Sequence, residues 1–557
     1  YQWHLNNTGQ NGSVIGHDVN IVDAWDRYLG SGVTIAIIDD GIEVTHPDLA
    51  ANVATDIDHD WNDATPDDPT PSSSFDDHGT SCAGIAAARG DNAIGISGAA
   101  PRATLVGLRL IAADTSAAED AEALAWRTDA IDISSNSWGQ PDTGDDLYPL
   151  DPLVAAALAN GVSEGRGGLG TIYVWAAGNG RDENNGREEG DYSNYEGYNN
   201  APETISVGAV DYTARQAVYS ESGANVLISA PSDAERFDPA ITTTTLVANG
   251  TYTDDFGGTS AATPMVAGCV ALMLEANPAL GWRDVQEILI RSAEKVDAAS
   301  PGWTTNGGGF DFHHGYGAGL IDASAAVDLA EGWGNLPPQR SVTLAQNDID
   351  LSIPDGDPVG VERVFTFSEA GLRVEHALLT VRLDHSYRGD IAITLTSPEG
   401  TVSELTHRHF DSNDDMDYQF LSVRHWGESA DGQWKVKLRD EEPRDVGVLR
   451  SLELELLGSD VAPPSGYDLW AGTQFSEEQL ADPSVSAPDA DPDYDQRPNL
   501  YEYAVGGDAL QPDPIAAVSL VRDGGSLRIR SIADTSKTDI SYRIQLSSDL
   551  LEWSDAA

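Results

Sequence analysis

The stretch Gly257-Gly-Thr-Ser-Ala-Ala-Thr-Pro-Met-Val-Ala-Gly268 decides the reading of this 557-residue chain. Small and apolar residues continue to Ala276, so Thr263–Ala276 reads as a buried helix. Pro264 then falls in its first turn, where a missing N–H is harmless. Ser260 stands at the helix start, between glycines and small residues that let another backbone come close. A serine hydroxyl is a weak nucleophile until a neighbouring imidazole takes its proton. Such a serine implies a histidine and an acid elsewhere in the chain.

Both are present in suitable settings. Ile37-Ile-Asp-Asp-Gly41 places Asp39 at the end of a buried strand, and His78-Gly-Thr-Ser-Cys-Ala-Gly84 places His78 at the start of a small-residue helix. A buried carboxylate fixes the imidazole tautomer and stabilises the imidazolium as it forms. A fourth motif, Val174-Trp-Ala-Ala-Gly-Asn-Gly180, puts Asn179 after a strand. Its amide is suited to donate to a developing oxyanion, beside the Ser260 N–H. The order Asp39, His78, Ser260 is the one that subtilisin-type enzymes use. Any one motif alone reads as a turn or a capped helix; four in this order do not read as coincidence.

The segments between these motifs predict an α/β fold. Val33–Ile38, Thr104–Leu110, Ala130–Ser134, Ile172–Ala176 and Thr204–Val210 read as buried strands, and Pro152–Gly161 as a helix. That alternation predicts a parallel sheet with helices on both faces, over residues 1–337. After Asn335-Leu-Pro-Pro338 the period changes to two. Runs at Ala377–Val381, Ile391–Thr396, Trp434–Leu438 and Leu452–Leu457 predict an all-β domain over 341–459. Ala462-Pro-Pro-Ser-Gly466 then opens an acidic segment, 467–557, with strands expected at Ser526–Ser531 and Ser541–Leu546.

The 91 acidic residues against 31 basic ones give a formal net charge of −60. Such a surface repels nucleic acid and anionic membranes, which are excluded as main partners. It suits a salty medium, bound calcium or cationic substrates, and most of the carboxylates read as a solvated shell. No apolar run is long enough to span a bilayer, and no signal-peptide pattern is present. The chain opens inside what reads as a folded segment, so removal of upstream residues is expected. Cys82 and Cys269 lie in small-residue runs and are expected as buried free thiols. The oligomeric state stays open.

Residues 2–459 resemble the kexin/furin-like proprotein convertases among the subtilisin-like serine proteases. The marks are Asp39-Asp-Gly-Ile-Glu-Val-Thr-His-Pro-Asp-Leu49, Gly161-Val-Ser-Glu-Gly-Arg-Gly-Gly-Leu-Gly170, Leu274-Glu-Ala-Asn277, Trp282-Arg-Asp284 and His314-Gly-Tyr-Gly-Ala-Gly-Leu320. Tyr387-Arg-Gly-Asp-Ile391 and Ser397-Pro-Glu-Gly400 resemble that family's P domain, a β jelly roll that stabilises the catalytic domain. The resemblance implies cleavage of polypeptides after a basic residue, chiefly arginine. It assigns Asp142 and Glu196 to the first specificity pocket, Asp40 and Asp120 to the second and fourth substrate side chains, and Ser137, Trp138 and Gly139 to strand-like pairing with the peptide. Carboxylates suit a planar guanidinium because they accept paired hydrogen bonds. The chain departs from the family at Phe75, where a second-pocket Asp is expected, at Gln140-Pro141, and in an insertion at Asp145–Leu150.

The resemblance also implies calcium, a cation that takes six to eight oxygen ligands. One implied site uses the Asp48 and Asn92 side chains with the carbonyls of Arg89, Ile94 and Ile96, a further ligand falling upstream of Tyr1. A second uses Asp142, Asp191 and Glu221. A third reading joins Asp60 with Asp67 or Asp68 in an acidic loop. In the tail, Asp491, Asp493, Asp495, Asn499 and Glu502 occupy positions 1, 3, 5, 9 and 12 of an EF-hand-type loop, with Gln496 where glycine is usual. The expectation is a secreted, calcium-dependent serine endoprotease that cleaves after Arg or Lys. Its rivals are a broad-specificity subtilisin-like protease and a surface binding or adhesion protein.

Overall fold

A computed structural model describes residues 2–63, 68–181, 190–234 and 239–460; beyond these it describes 471, 474–480, 483–487, 490–493, 497–505, 509–510, 518–523, 526–531, 545–546 and 554–555. Residues 1–460 form one compact unit and 461–557 a second.

The first unit is built on seven parallel strands: β1 (Thr34–Asp39), β2 (His59–Asp60), β3 (Thr104–Arg109), β4 (Ile133–Asn136), β5 (Ile172–Ala176), β6 (Thr204–Val210) and β7 (Val226–Pro231). Their order in the sheet is β2-β3-β1-β4-β5-β6-β7, and every pairing is parallel. The strands are short apolar runs because helices cover both faces, so both sets of alternating side chains are buried. On one face, helices α1 (Val22–Trp25), α2 (His78–Ala87) and α5 (Thr259–Ala276) share a core with Ile35, Ile37, Val174 and Val207. On the other, α3 (Ala117–Leu124) and α4 (Pro152–Glu164) pack over Ala36, Ile38, Tyr173 and Trp175. Ser116 caps α3 through a reciprocal capping box with Glu119.

The expected strands and helices are present, with β4 starting at Ile133 rather than Ala130 and β7 and β2 added. Helix α5 begins at Thr259, four residues before the expected start, so Pro264 is its sixth residue and not in its first turn. Among the described residues, α5 is the one helix long and apolar enough to cross a membrane, and it is 83% buried as the core helix of this unit. Cys82 and Cys269 are free and buried.

From Gln339 the chain forms two antiparallel sheets. One orders Gln339–Gln346, Gly447–Asp460, Leu372–Asp384 and Met416–Ser422, with Leu351–Ile353 also on Gly447–Asp460; the other orders Val361–Phe367, Gly432–Asp440, Ile391–Thr396 and Val402–Thr406. Their inner faces enclose Phe365, Phe420, Trp434 and Leu454. The sandwich is tied to the α/β layer through α6 (Trp282–Ser292). Arg283, nearly buried there, donates Nε to Glu375 Oε2 at 2.6 Å and Nη1 to the Pro337 carbonyl at 2.8 Å.

In the second unit, Ala471, Phe475, Tyr503 and Ala509 form a small core. The strand Ser526–Ser531 is present and pairs with Val518–Asp523; of Ser541–Leu546, only Gln545–Leu546 is described, as a strand.

Candidate functional site

Asp39 ends β1 at the carboxyl edge of the sheet, where parallel sheets gather functional groups. It is fully buried, and its main-chain oxygen accepts from Leu110 and Ile111 N–H. Its two carboxylate oxygens lie 2.9 and 3.0 Å from His78 Nδ1. Burial would lower the His78 pKa; the Asp39 carboxylate beside it more than offsets this and raises it well above the ordinary value. His78 is the first residue of α2. There Asp40 caps the helix, accepting from Gly79 N at 2.7 Å and His78 N at 3.1 Å.

Ser260 is the second residue of α5. Gly258 precedes it at φ +75°, a conformation that disfavours a side chain. Inside a helix, proline removes the N–H that would bond to the carbonyl four residues earlier. For Pro264 that carbonyl belongs to Ser260. It accepts instead from Ser137 Oγ at 3.1 Å and Cys82 Sγ at 3.6 Å. The sequence feature that disturbs the helix thus ties the serine to the strand end at Ser137 and to α2. Ser260 Oγ donates to the Ser137 carbonyl at 3.4 Å. Asn179 Oδ1 accepts from Thr259 N and Oγ1 at 2.8 and 2.9 Å, which fixes the plane of its amide.

His78, Ser137, Gly139, Asp142, Asn179, Glu196 and Ser260 all line one cleft of ≈ 300 Å³, together with Trp138 and Gln140. The Trp138 carbonyl accepts from Trp175 Nε1 at 2.6 Å. Ser137 and Gly139 on either side of it line the cleft with Trp138. Of the lining residues, Glu196 is 3% exposed, and a Cβ on Gly139 would come within 2.6 Å of its Oε2. Burial, then the charges of Asp142 and Asp191, push the Glu196 carboxyl well above its ordinary range. Asp120 lines an adjoining cavity of ≈ 290 Å³ that shares Gln140 and takes Tyr148, Pro149 and Leu150 from the expected insertion.

Two of the expected acids meet partners of the protein's own. Asp40 is not among the residues that line the cleft, and each of its oxygens accepts from an N–H at the start of α2. Burial and the neighbouring Asp39 push its pKa up to about 7. Asp60 is 2% exposed and accepts from Arg109 Nη1 at 3.0 Å. A buried guanidinium thus occupies one of its oxygens, and the other accepts from Asn62 N; its expected partner Asp67 lies outside the described residues, and Asp68 accepts from Thr70 N. Phe75, at the second-pocket position, is 90% exposed.

The residues fit a divalent cation best at Asp142, Asp191 and Glu221, whose carboxylate oxygens lie within 4.8 Å of one another. Glu221 is fully buried and its Oε2 has no hydrogen-bond partner. Burial and the neighbouring carboxylates raise its pKa well above the ordinary range, and burial brings Asp191 to about 7. Three buried or crowded carboxylates with an orphaned oxygen are the donor set of a hard cation. At the other implied site, Asp48, Asn92 and Ile96 meet: Asp48 accepts from Asn92 Nδ2 at 2.5 Å and Ile96 N at 2.8 Å, and its carbonyl from Arg89 N at 2.8 Å. Asn92 Oδ1 accepts from Ile94 N. Here the Asp48 and Asn92 side chains are engaged by the loop's own N–H groups. In the tail, Asp495 and the Glu502 side chain lie outside the described residues; Asn499 is buried, donating to the carbonyls of Val485 and Ala487.

Sequence reasoning missed how the sandwich clamps the segment carrying Asp191 and Glu196. Asn194 Nδ2 donates to Leu421 O at 2.8 Å, Leu421 N to Asn200 Oδ1 at 2.9 Å, and Tyr192 OH to Glu404 O at 3.2 Å. The asparagine-rich run Tyr192–Asn200 was the available signal.

Residues 30–319 match the subtilase family, and residues 374–456 the proprotein convertase P-domain. Over 456 residues the chain is 39% identical to a PC3-like endoprotease, variant B, of Hydra vulgaris, covering 80% of this chain and 63% of that protein. It is 37% identical to kexin of Saccharomyces cerevisiae over 83% of this chain and 56% of that one. It is 36% identical to proprotein convertase subtilisin/kexin type 6 of Homo sapiens, over 88% of this chain and 51% of that one. The chain thus spans between half and two thirds of these relatives. The crystal structure of a serine protease of Aeromonas sobria in complex with its chaperone superimposes with a TM-score of 0.75 at 28% identity, covering 83% of this chain and 94% of that one.

Proposed function

The chain belongs to the subtilase family, and on that premise we propose that it is a secreted serine endopeptidase that cleaves polypeptides after basic residues, with calcium bound beside its specificity pocket. The observation that carries the reading is the cleft shared by His78, Asn179 and Ser260, with the buried Glu196 in its lining.

In this mechanism Ser260 Oγ forms a bond to the substrate carbonyl carbon while its proton passes to His78 Nε2. Asp39, held on Nδ1, keeps that tautomer and stabilises the imidazolium. Asn179 Nδ2 and the Ser260 N–H donate to the oxyanion. As the tetrahedral adduct collapses, His78 gives its proton to the departing amine; water then hydrolyses the acyl-enzyme by the same steps. Asp142 and Glu196 select a guanidinium or ammonium, and Asp120 would meet a residue further from the cut. Asp142, Asp191 and Glu221 would hold calcium, whose charge offsets carboxylates that burial otherwise leaves raised. Residues 1–337 would carry catalysis, 341–459 the supporting P domain, and 467–557 an appended segment. The deciding experiment compares peptides that differ only in Arg, Lys, Leu or Phe before the cut; equal rates on Arg and Leu would leave broad specificity as the reading. Loss of hydrolysis in Ser260→Ala separates an enzyme from a binding protein.

A further inference from the structure

Arg109 closes β3 at the same end of the sheet as Asp39, its partner in register. It is 3% exposed. Its Nε donates to the Asp40 carbonyl at 3.0 Å, Nη1 to Asp60 Oδ2 at 3.0 Å, and Nη2 to Ser72 Oγ and Asp76 Oδ2, both at 3.1 Å. A guanidinium presents its N–H donors in one rigid plane. These four acceptors, from three separate segments, are therefore held in one fixed arrangement. Two of the segments lead into the catalytic pair: Asp40 follows Asp39, and Asp76 stands two residues before His78.

We propose that Arg109 is a positioning residue for the Asp39–His78 pair, tying the end of β1 to the loop that enters α2. The inference rests on the reading of Asp39 and His78 as acid and base. Stability alone is a poor reason for such a group, since a buried ion pair is often replaced by packed apolar residues at no loss. An apolar replacement could fill the space but could not reach the Asp40 carbonyl and the Asp76 carboxylate together. Lysine keeps the charge but is a point donor without the planar fork.

The test uses the full chain with Arg109→Lys and, separately, Asp76→Asn, an isosteric change at a side chain 17% exposed. KM, thermal midpoint and kcat per titratable active site are measured for each. A misplaced acid–base pair slows acylation, so kcat per site should fall by about 10- to 100-fold in Arg109→Lys and less in Asp76→Asn, with KM unchanged. A purely structural role would lower the midpoint and the number of active sites but leave kcat per site at the parent value. That result in both variants, with His78→Ala inactive, overturns the inference alone. If Arg109→Lys does not fold, Asp76→Asn decides by the same criterion. An active His78→Ala would overturn the acid–base reading and this inference with it.

Discussion

Replacing Glu196 by glutamine tests the specificity pocket without changing its shape. The residue is 3% exposed, and burial raises its pKa well above the ordinary range. Burial thus favours the protonated form, whereas an arriving guanidinium favours the ionised one. A hydrogen bond to a charged group contributes about 1.5–3 kcal/mol, which is about 10- to 150-fold in a rate ratio. Glu196→Gln should lower kcat/KM on an Arg peptide by that factor and leave the matched Leu peptide nearly unchanged. The sign with pH follows from the raised pKa. In the parent, KM for the Arg peptide falls as pH rises and Glu196 ionises; in the variant that slope disappears. The assay is steady-state hydrolysis of the two peptides across pH in excess calcium. Equal losses on both peptides would mean that Glu196 only supports the fold, and no loss on either would remove it from the pocket.

Asn179→Ala should lower kcat by about 10²–10³-fold with little change in KM, a magnitude taken from the equivalent amide of subtilisin itself. Catalysis needs neutral His78, whose pKa is raised, so kcat/KM should hold above that value and fall as pH drops through it; the acid limb measured on the Leu peptide should lie above 6.5, the ordinary value. Chelation of calcium should lower both activity and thermal midpoint, and Glu221→Gln should weaken the calcium dependence of the midpoint, read by titrating calcium into each protein. Arg283→Met leaves Glu375 buried without its cation, which removes about 3–5 kcal/mol, read by denaturant unfolding; adding Glu375→Leu should recover most of it.

The sequence was most legible where local chemistry and chain order agree. Asp39, His78, Asn179 and Ser260 each sit at a strand or helix end, in motifs short enough to read directly, and the β1, β5 and β6 runs are continuous enough to name. The P-domain strands were located by their period but drawn short, since Leu372–Asp384 and Gly447–Asp460 continue past the apolar runs, where polar residues interrupt the pattern although Leu372, Val374, Leu383 and Leu449 still enter the core. What was not legible depends on where a side chain turns. Asp40 and Asp60 read as site acids because spacing says nothing of direction. One of them caps a helix and the other meets a guanidinium, and neither outcome follows from residue type. Arg109 had a visible signal, a lone cation ending a buried strand beside Asp39, but its acceptors come from three distant segments.

Pro264 shows why a local rule can fail at a catalytic centre. Reading the helix as Thr263–Ala276 put Pro264 in a first turn, where its missing hydrogen bond is harmless, and set the helix start too late. In the fold the defect falls on the carbonyl of Ser260, and that oxygen is taken up by Ser137 Oγ and Cys82 Sγ. The serine is thereby joined to the extended segment whose Ser137 carbonyl also receives its hydroxyl. Ser260 and the Ser137 segment thus share hydrogen bonds in both directions, so a shift of one carries the other. A regular helix would have satisfied the same carbonyl internally and left the hydroxyl contact alone to join them.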